Sequence, residues 1–154
     1  MSDVDVAVNK IREAMQESPE AWVTAVEGLV AESLRVKHDP PIEDWGTTEE
    51  MEGGVESARL FAVWRQEVEA QRRAAPDYRL TEIEVGPTQE GGLFFANHHT
   101  GTLNDGRVVS APARVTTDPL EDGKITAWTV KTYGDAVPQL RDWLAAGNMQ
   151  LPEA

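Results

Sequence analysis

The sequence contains three histidines and no cysteine. Thiolate catalysis, disulfides and zinc–thiolate sites are therefore excluded, and proton transfer near neutral pH falls to histidine and perturbed carboxylates. His98 and His99 are adjacent, so on a strand they point to opposite faces and only one can enter a shared pocket. The pocket-facing ring would be a general base or a hydrogen-bond partner; the alternative is a satisfied histidine on a sheet face. Two adjacent strand histidines cannot chelate one ion, and no helical His-Glu pair has ligand spacing, so no metal site is expected.

His38-Asp39 stands where a strand meets Pro40-Pro41, with Trp45 beyond as a lid or stacking surface. Asp39 would be a base at the pocket rim, or simply the aspartate that starts a turn before proline. Arg114, among Ala111, Ala113 and Val115, would bind a carboxylate or phenolate if it faced inward. It could equally pair with one of the 27 acids on an outer face. Trp128 and Tyr133, near the end of a strand, line a pocket or pack in the core. Asp135 precedes a short helix with Pro138 in its first turn. In an apolar cavity its carboxyl pKa would rise and make it a useful acid; it could also cap the helix N-terminus. Arg12-Glu13 and Glu67-Glu69 read as solvated helix faces, and Arg72-Arg73 as a solvated helix end.

The elements that hold these residues follow from periodicity. Val4, Val8, Ile11 and Met15 form one stripe of a first helix. Ser18-Pro19-Glu20 starts a second, which carries Trp22, Val26 and Leu29, with Val30 flanking. Leu34–His38 alternates as a short strand. A loop spans 39–48, and Thr47 with Glu50 offers a capping box. A long helix is expected from Val55 to about Arg73, burying Ala58, Phe61, Trp64 and Val68. From Tyr78 the period becomes two, with Thr81, Ile83 and Val85 on a dry face against Glu82 and Glu84. Strands over 93–102, 107–117 and 124–133 follow, separated by Asn104-Asp105-Gly106 and Glu121-Asp122-Gly123 turns. Val137, Leu140 and Leu144 define a closing helix that ends at Gly147.

A chain of 154 residues suits one domain. The net charge of −13 disfavours nucleic acid. No apolar stretch is long enough to span a membrane, and the acidic start, Met1 to Asp5, lacks a signal-peptide core. A cytoplasmic location fits the missing cysteines.

Three segments carry a resemblance. Ala75-Pro76-Asp77-Tyr78-Arg79-Leu80 resembles the "FPDLRL" segment of the nuclear transport factor 2-like superfamily. Asn97-His98-His99-Thr100-Gly101 resembles its "GTHTG", and Glu121 to Trp128 its "EDGKIxxW". The resemblance covers nearly the whole chain. It implies an α+β fold: a cone-shaped barrel in which about three N-terminal helices pack on a strongly curved, mostly antiparallel sheet. The cone encloses one pocket, with a short C-terminal helix, in a single domain over 1–154.

Within that superfamily, Val36-Lys37-His38-Asp39-Pro40 is similar to the ketosteroid isomerase segment that carries the general base, which places Asp39 in that role. The partner tyrosine and acid of those enzymes fall at Met15 and near Ala113, Arg114 and Val115. Limonene epoxide hydrolases have an aspartate where Val130 stands, and that activity is not expected. SnoaL-like polyketide cyclases carry an aspartate before a closing leucine-rich segment; Asp135 before Gln139-Leu140-Arg141-Asp142-Trp143-Leu144 is similar. Counting from related pockets favours His98 over His99.

The implied function is a cofactor-free acid/base enzyme of cyclase or isomerase type on a small, largely apolar, oxygenated ligand. Asp135, His98 and Asp39 would be catalytic, and His38, Trp45, Arg114, Trp128 and Tyr133 would bind substrate. The alternatives are a non-catalytic binding module and a dimerising protein-interaction domain. A homodimer is expected.

Overall fold

A computed structural model describes residues 2–39, 53–131 and 133–149. Trp45, the capping box at Thr47–Glu50 and most of the 39–48 loop lie outside the described residues.

Helix α1 (Asp3–Glu17) starts where Ser2 Oγ accepts the Asp5 N–H at 3.1 Å, with Asp3 and Asp5 against the positive dipole end. Its stripe of Ala7, Val8, Ile11, Ala14 and Met15 is buried. Ser18 caps α2 (Pro19–Glu27) in the same way, through Ala21 N–H at 3.0 Å, with Pro19 in its first turn. Trp22, Val23 and Val26 face inward. Leu29 and Val30, expected on this helix, instead lie beyond its Gly28 cap. There the Leu29 carbonyl accepts from Ile125 N–H at 2.9 Å, and strand β1 (Val30–Asp39) begins.

Val55 also departs from the helix expected there. Strand β2 (Val55–Glu56) pairs with β1, and helix α3 (Ser57–Ala74) begins two residues later than expected. Phe61 and Val68 on α3 are buried, whereas Ala58 is exposed. The remaining strands are β3 (Arg79–Pro87), β4 (Leu93–Thr102), β5 (Val108–Thr117) and β6 (Ile125–Lys131). They make one curved six-stranded sheet in the order β2-β1-β6-β5-β4-β3. β1 and β6 are parallel, while the other neighbours are antiparallel. Asp122 and Gly123, both at positive φ, close the turn before β6 as an Asp-Gly pair should.

On β3 Val85 is buried and Ile83 packs against the core while Glu82 and Glu84 are exposed, as expected, but a bulge shifts the ladder between Thr81 and Glu84. Glu82 sits there in the left-handed region at φ 50°. The extra residue shifts the pleat by one, so Leu80 and Val85 are both buried although five positions separate them.

Helix α4 (Ala136–Ala146) closes the structure over α3. Trp143 is fully buried and donates its indole N–H to the Gln71 carbonyl at 2.9 Å. Asn148 takes φ 67°, and the Met149 N–H returns to the Leu144 carbonyl at 2.8 Å, a Schellman turn with asparagine in the left-handed position. Arg73 donates to the Gly147 carbonyl through Nε at 3.0 Å and Nη2 at 2.8 Å. Arg72 holds Glu20 with two hydrogen bonds and donates to the Tyr78 carbonyl at 2.8 Å. The pair expected as a solvated helix end thus ties α3 to α2, α4 and the start of β3.

Candidate functional site

Between the sheet and helices α3 and α4 lies a cavity of about 360 Å3. Its walls are largely apolar. Trp22, Trp64, Phe95 and Trp128 meet edge-to-face in pairs: Trp22 with Trp64 at 4.8 Å and with Phe95 at 5.9 Å, and Phe95 with Trp128 at 6.1 Å between ring centroids. Such pairs contribute about 0.5–1.5 kcal/mol each beyond the area they bury, which makes these walls stiff.

Into this apolar box α3 delivers a carboxylate. Leu60, Val63, Trp64, Glu67 and Gln71 share the cavity-facing stripe of the helix. Glu67 has no hydrogen-bond or ion-pair partner among the described residues. Burial alone pushes its carboxyl up to about 7 from an ordinary 4.5, because the charged form loses its water without gaining a partner. A carboxyl poised there can both take and return a proton at neutral pH.

Two imidazoles share the cavity. His99 on β4 is buried, and its Nδ1 lies 2.8 Å from the buried Tyr78 hydroxyl. Burial, with a smaller contribution from neighbouring His98, holds His99 down to about 4. His38 on β1 is pushed down to about 4 by burial, and its Nδ1 has no partner. Both rings are therefore neutral at physiological pH. The indole N–H of Trp22 is likewise buried without an acceptor. Lys131 and Tyr133 complete the polar lining on the more exposed side, with the ammonium 5.9 Å from the phenol ring centroid. No group of three or more His, Asp or Glu side chains among the described residues could hold a metal ion.

No family profile and no curated protein matches the chain. Solved structures do. A nuclear transport factor 2-like protein of unknown function from Burkholderia pseudomallei aligns at a TM-score of 0.57 with 15% identity, over 91% of this chain and 98% of that one. The chain has the nuclear transport factor 2-like fold. Two further proteins of similar structure were solved with ligands. One, from Mycobacterium tuberculosis, is in complex with estradiol-17beta-hemisuccinate (TM-score 0.57, 14% identity, 88% of this chain and 98% of that one). The other, TerC, was co-crystallised with polyporic acid (TM-score 0.56, 13% identity, 90% and 98%).

In this nuclear transport factor 2-like cone, strand alternation decides which expected residues reach the cavity. His38, Trp128 and Tyr133 do. His99, not His98, is the inward histidine. His98 is on the outer face, with Nδ1 3.0 Å from Ser110 Oγ and Nε2 2.8 Å from Glu82 Oε2. Asp39 is exposed, one pleat out of phase with His38. Arg114 also faces outward and lays its guanidinium 4.3 Å above the Phe94 ring. Asp135 occupies the N-cap position of α4, but it is exposed and its side chain makes no capping hydrogen bond. None of His98, Asp39, Arg114 and Asp135 is among the described residues that line the cavity.

Glu67 is the residue that reading the sequence missed. Its signal was present: an acid seven positions after Leu60 and three after Trp64, inside an apolar stripe at helical spacing. Arg12, set aside with the solvated faces, likewise reaches across the fold to donate to the Val85 carbonyl at 2.7 Å.

Proposed function

We propose that the cavity is a proton-transfer site for a small, largely apolar ligand that carries a carbonyl group, a chemistry of isomerase or cyclase type. The observation that carries this is Glu67: an unpaired carboxylate in an apolar box, its pKa moved to about 7 by burial. As carboxylate it removes a proton from the carbon next to the carbonyl. The C–H pair becomes a C=C bond and the carbonyl oxygen becomes an enolate. The Glu67 carboxyl then returns the proton, at the same or a conjugated carbon. No net charge is gained, and no oxidant or reductant is needed.

The cavity volume of about 360 Å3 falls within the range of small-ligand sites. The steroid conjugate and the polyporic acid bound by proteins of this fold support ligands with flat apolar bodies and oxygen at the edges. Glu67 takes over the role that the sequence suggested for Asp135.

The test is hydrogen–deuterium exchange next to a carbonyl. β-Tetralone is incubated with the protein in deuterium oxide and followed by proton NMR, with binding measured separately by tryptophan fluorescence. Wild type should accelerate exchange, and Glu67→Gln should lower the rate by about a hundredfold or more, the usual worth of a positioned base. Equal exchange rates for wild type and Glu67→Gln would sink the reading. Unpaired donors such as the Trp22 indole N–H suit a binding-only module, and quenching without any exchange would establish that second reading instead.

A further inference from the structure

We propose that Tyr78 presets His99 as a neutral hydrogen-bond donor, so that the substrate's carbonyl oxygen docks on His99 Nε2–H and the enolate forms there. This rests on the proton-transfer reading above and adds the oxygen-binding half of the site to the Glu67 half.

The argument is one of donors and acceptors. The Tyr78 hydroxyl and His99 Nδ1 are 2.8 Å apart and both residues are buried. Either atom could carry the shared proton, but the two choices are not equal. If Nδ1–H donated to the hydroxyl, the phenol hydrogen would be left without an acceptor, because Tyr78 Oη has no other partner among the described residues. An unpaired buried donor costs about 1–3 kcal/mol. If Tyr78 donates to Nδ1, the phenol hydrogen is satisfied, and the one hydrogen left over passes from Tyr78, which is not among the described residues that line the cavity, to the ring's Nε2. That atom has no partner among the described residues and belongs to a side chain that lines the cavity.

Tyr78 is held for this task. Its ring packs edge-on against Trp143 at 4.9 Å, and the Arg72 guanidinium lies 5.5 Å from its centroid. Burial keeps the phenol protonated far beyond physiological pH, so it remains a donor. A neutral imidazole N–H is suited to an enolate, since the acidities of the two are closer than those of an imidazolium and an enolate and no charge must be neutralised in the ground state. The titratable groups that line the cavity with His99 are Glu67, Lys131, Tyr133 and His38. Glu67 on α3 and His99 on β4 line the same cavity from different elements with no hydrogen bond between them, so a ligand in the cavity can meet both base and donor. Tyr78 acts through His99 and is a positioning residue; His99 is the catalytic one.

Tautomers are read directly by long-range proton–nitrogen NMR on labelled protein, with His38→Asn and His98→Asn variants to assign the three rings. Wild type at neutral pH should show His99 protonated on Nε2 and bare on Nδ1. Tyr78→Phe should give a mixture of tautomers and lower kcat for β-tetralone exchange by about tenfold to a hundredfold, with KM little changed. Should Tyr78→Phe not fold, His99→Gln, which keeps an N–H donor, should retain more exchange than His99→Leu. Nδ1 protonation in wild type would overturn the proposal, as would equal exchange in the Gln and Leu variants. Failure of the Glu67 reading looks different: Glu67→Gln would exchange like wild type while the His99 tautomer stayed as stated.

Discussion

Replacing Glu67 by glutamine nearly preserves shape and removes the only carboxylate that lines the cavity among the described residues. Its effect on stability can be worked out before any substrate is known. The folded-state pKa is about 7 and the ordinary value 4.5. Between those two pH values the native protein holds a proton that the unfolded chain has released. The contribution of Glu67 to stability therefore falls as pH rises from about 4.5 to about 7, and levels off above; His38 and His99, held down to about 4, act in the opposite sense between about pH 4 and 6.5. At about 1.36 kcal/mol for each pH unit, the full loss is about 3 kcal/mol. This is an upper bound, because the carboxylate faces a cavity that water can enter.

Glu67→Gln lacks this loss. The variant should gain about 2–3 kcal/mol on wild type between about pH 5 and pH 8.5, as the pKa values dictate. The other carboxylates and the two buried histidines are common to both proteins and cancel in the difference. Urea denaturation followed by tryptophan fluorescence reads the change as a midpoint shift of roughly 1–2 M. Parallel stability curves across that pH range would refute the burial argument, and with it the assignment of Glu67 as a tuned base.

Other outcomes are equally definite. The exchange rate should rise with pH along a single limb centred at about 7, as Glu67 ionises; His38 and His99, held down to about 4, should add no further limb between about pH 5 and 9. Asp135→Asn should leave exchange unchanged and stability within about 0.5 kcal/mol, because the side chain is exposed and caps nothing; a hundredfold loss of exchange would restore it as the acid. Gly147→Ala should destabilise by about 1–3 kcal/mol or more and weaken ligand binding, measured by urea denaturation and fluorescence titration, since a Cβ there would lie 1.9 Å from the Ala70 carbonyl oxygen and push α4 off α3.

The sequence carried the architecture well where signals were local. The Ser18 cap, the helical stripes and the Asp122-Gly123 turn are short-range chemistry, and the order of elements followed from them. It carried the site poorly, for three physical reasons. A one-residue uncertainty in strand phase exchanges faces, which is how His98 stood in for His99. Asp135 looked like an acid at a pocket mouth, but whether a residue beside a helix start points in or out depends on how that helix docks. Glu67 was read by its charge rather than its neighbours; only the packing of α3 against the sheet shows that its stripe faces a cavity. His38 was legible because alternation along β1 holds from Leu34 to His38; Trp128 lies on β6, and Tyr133 lies two residues beyond its end.

The bulge in β3 has a consequence for the protein among its own copies. β3 is an outer strand of the sheet, with one side left for another chain to pair against. A flat nine-residue edge would invite strand addition and fibrous growth. Here the left-handed Glu82 breaks the ladder in mid-strand, Glu82 and Glu84 add like charges, and Arg12 takes the Val85 carbonyl from helix α1. The irregularity that sets the inward phase of Leu80 and Val85 also spoils the template, so the strand that completes the sheet does not extend it.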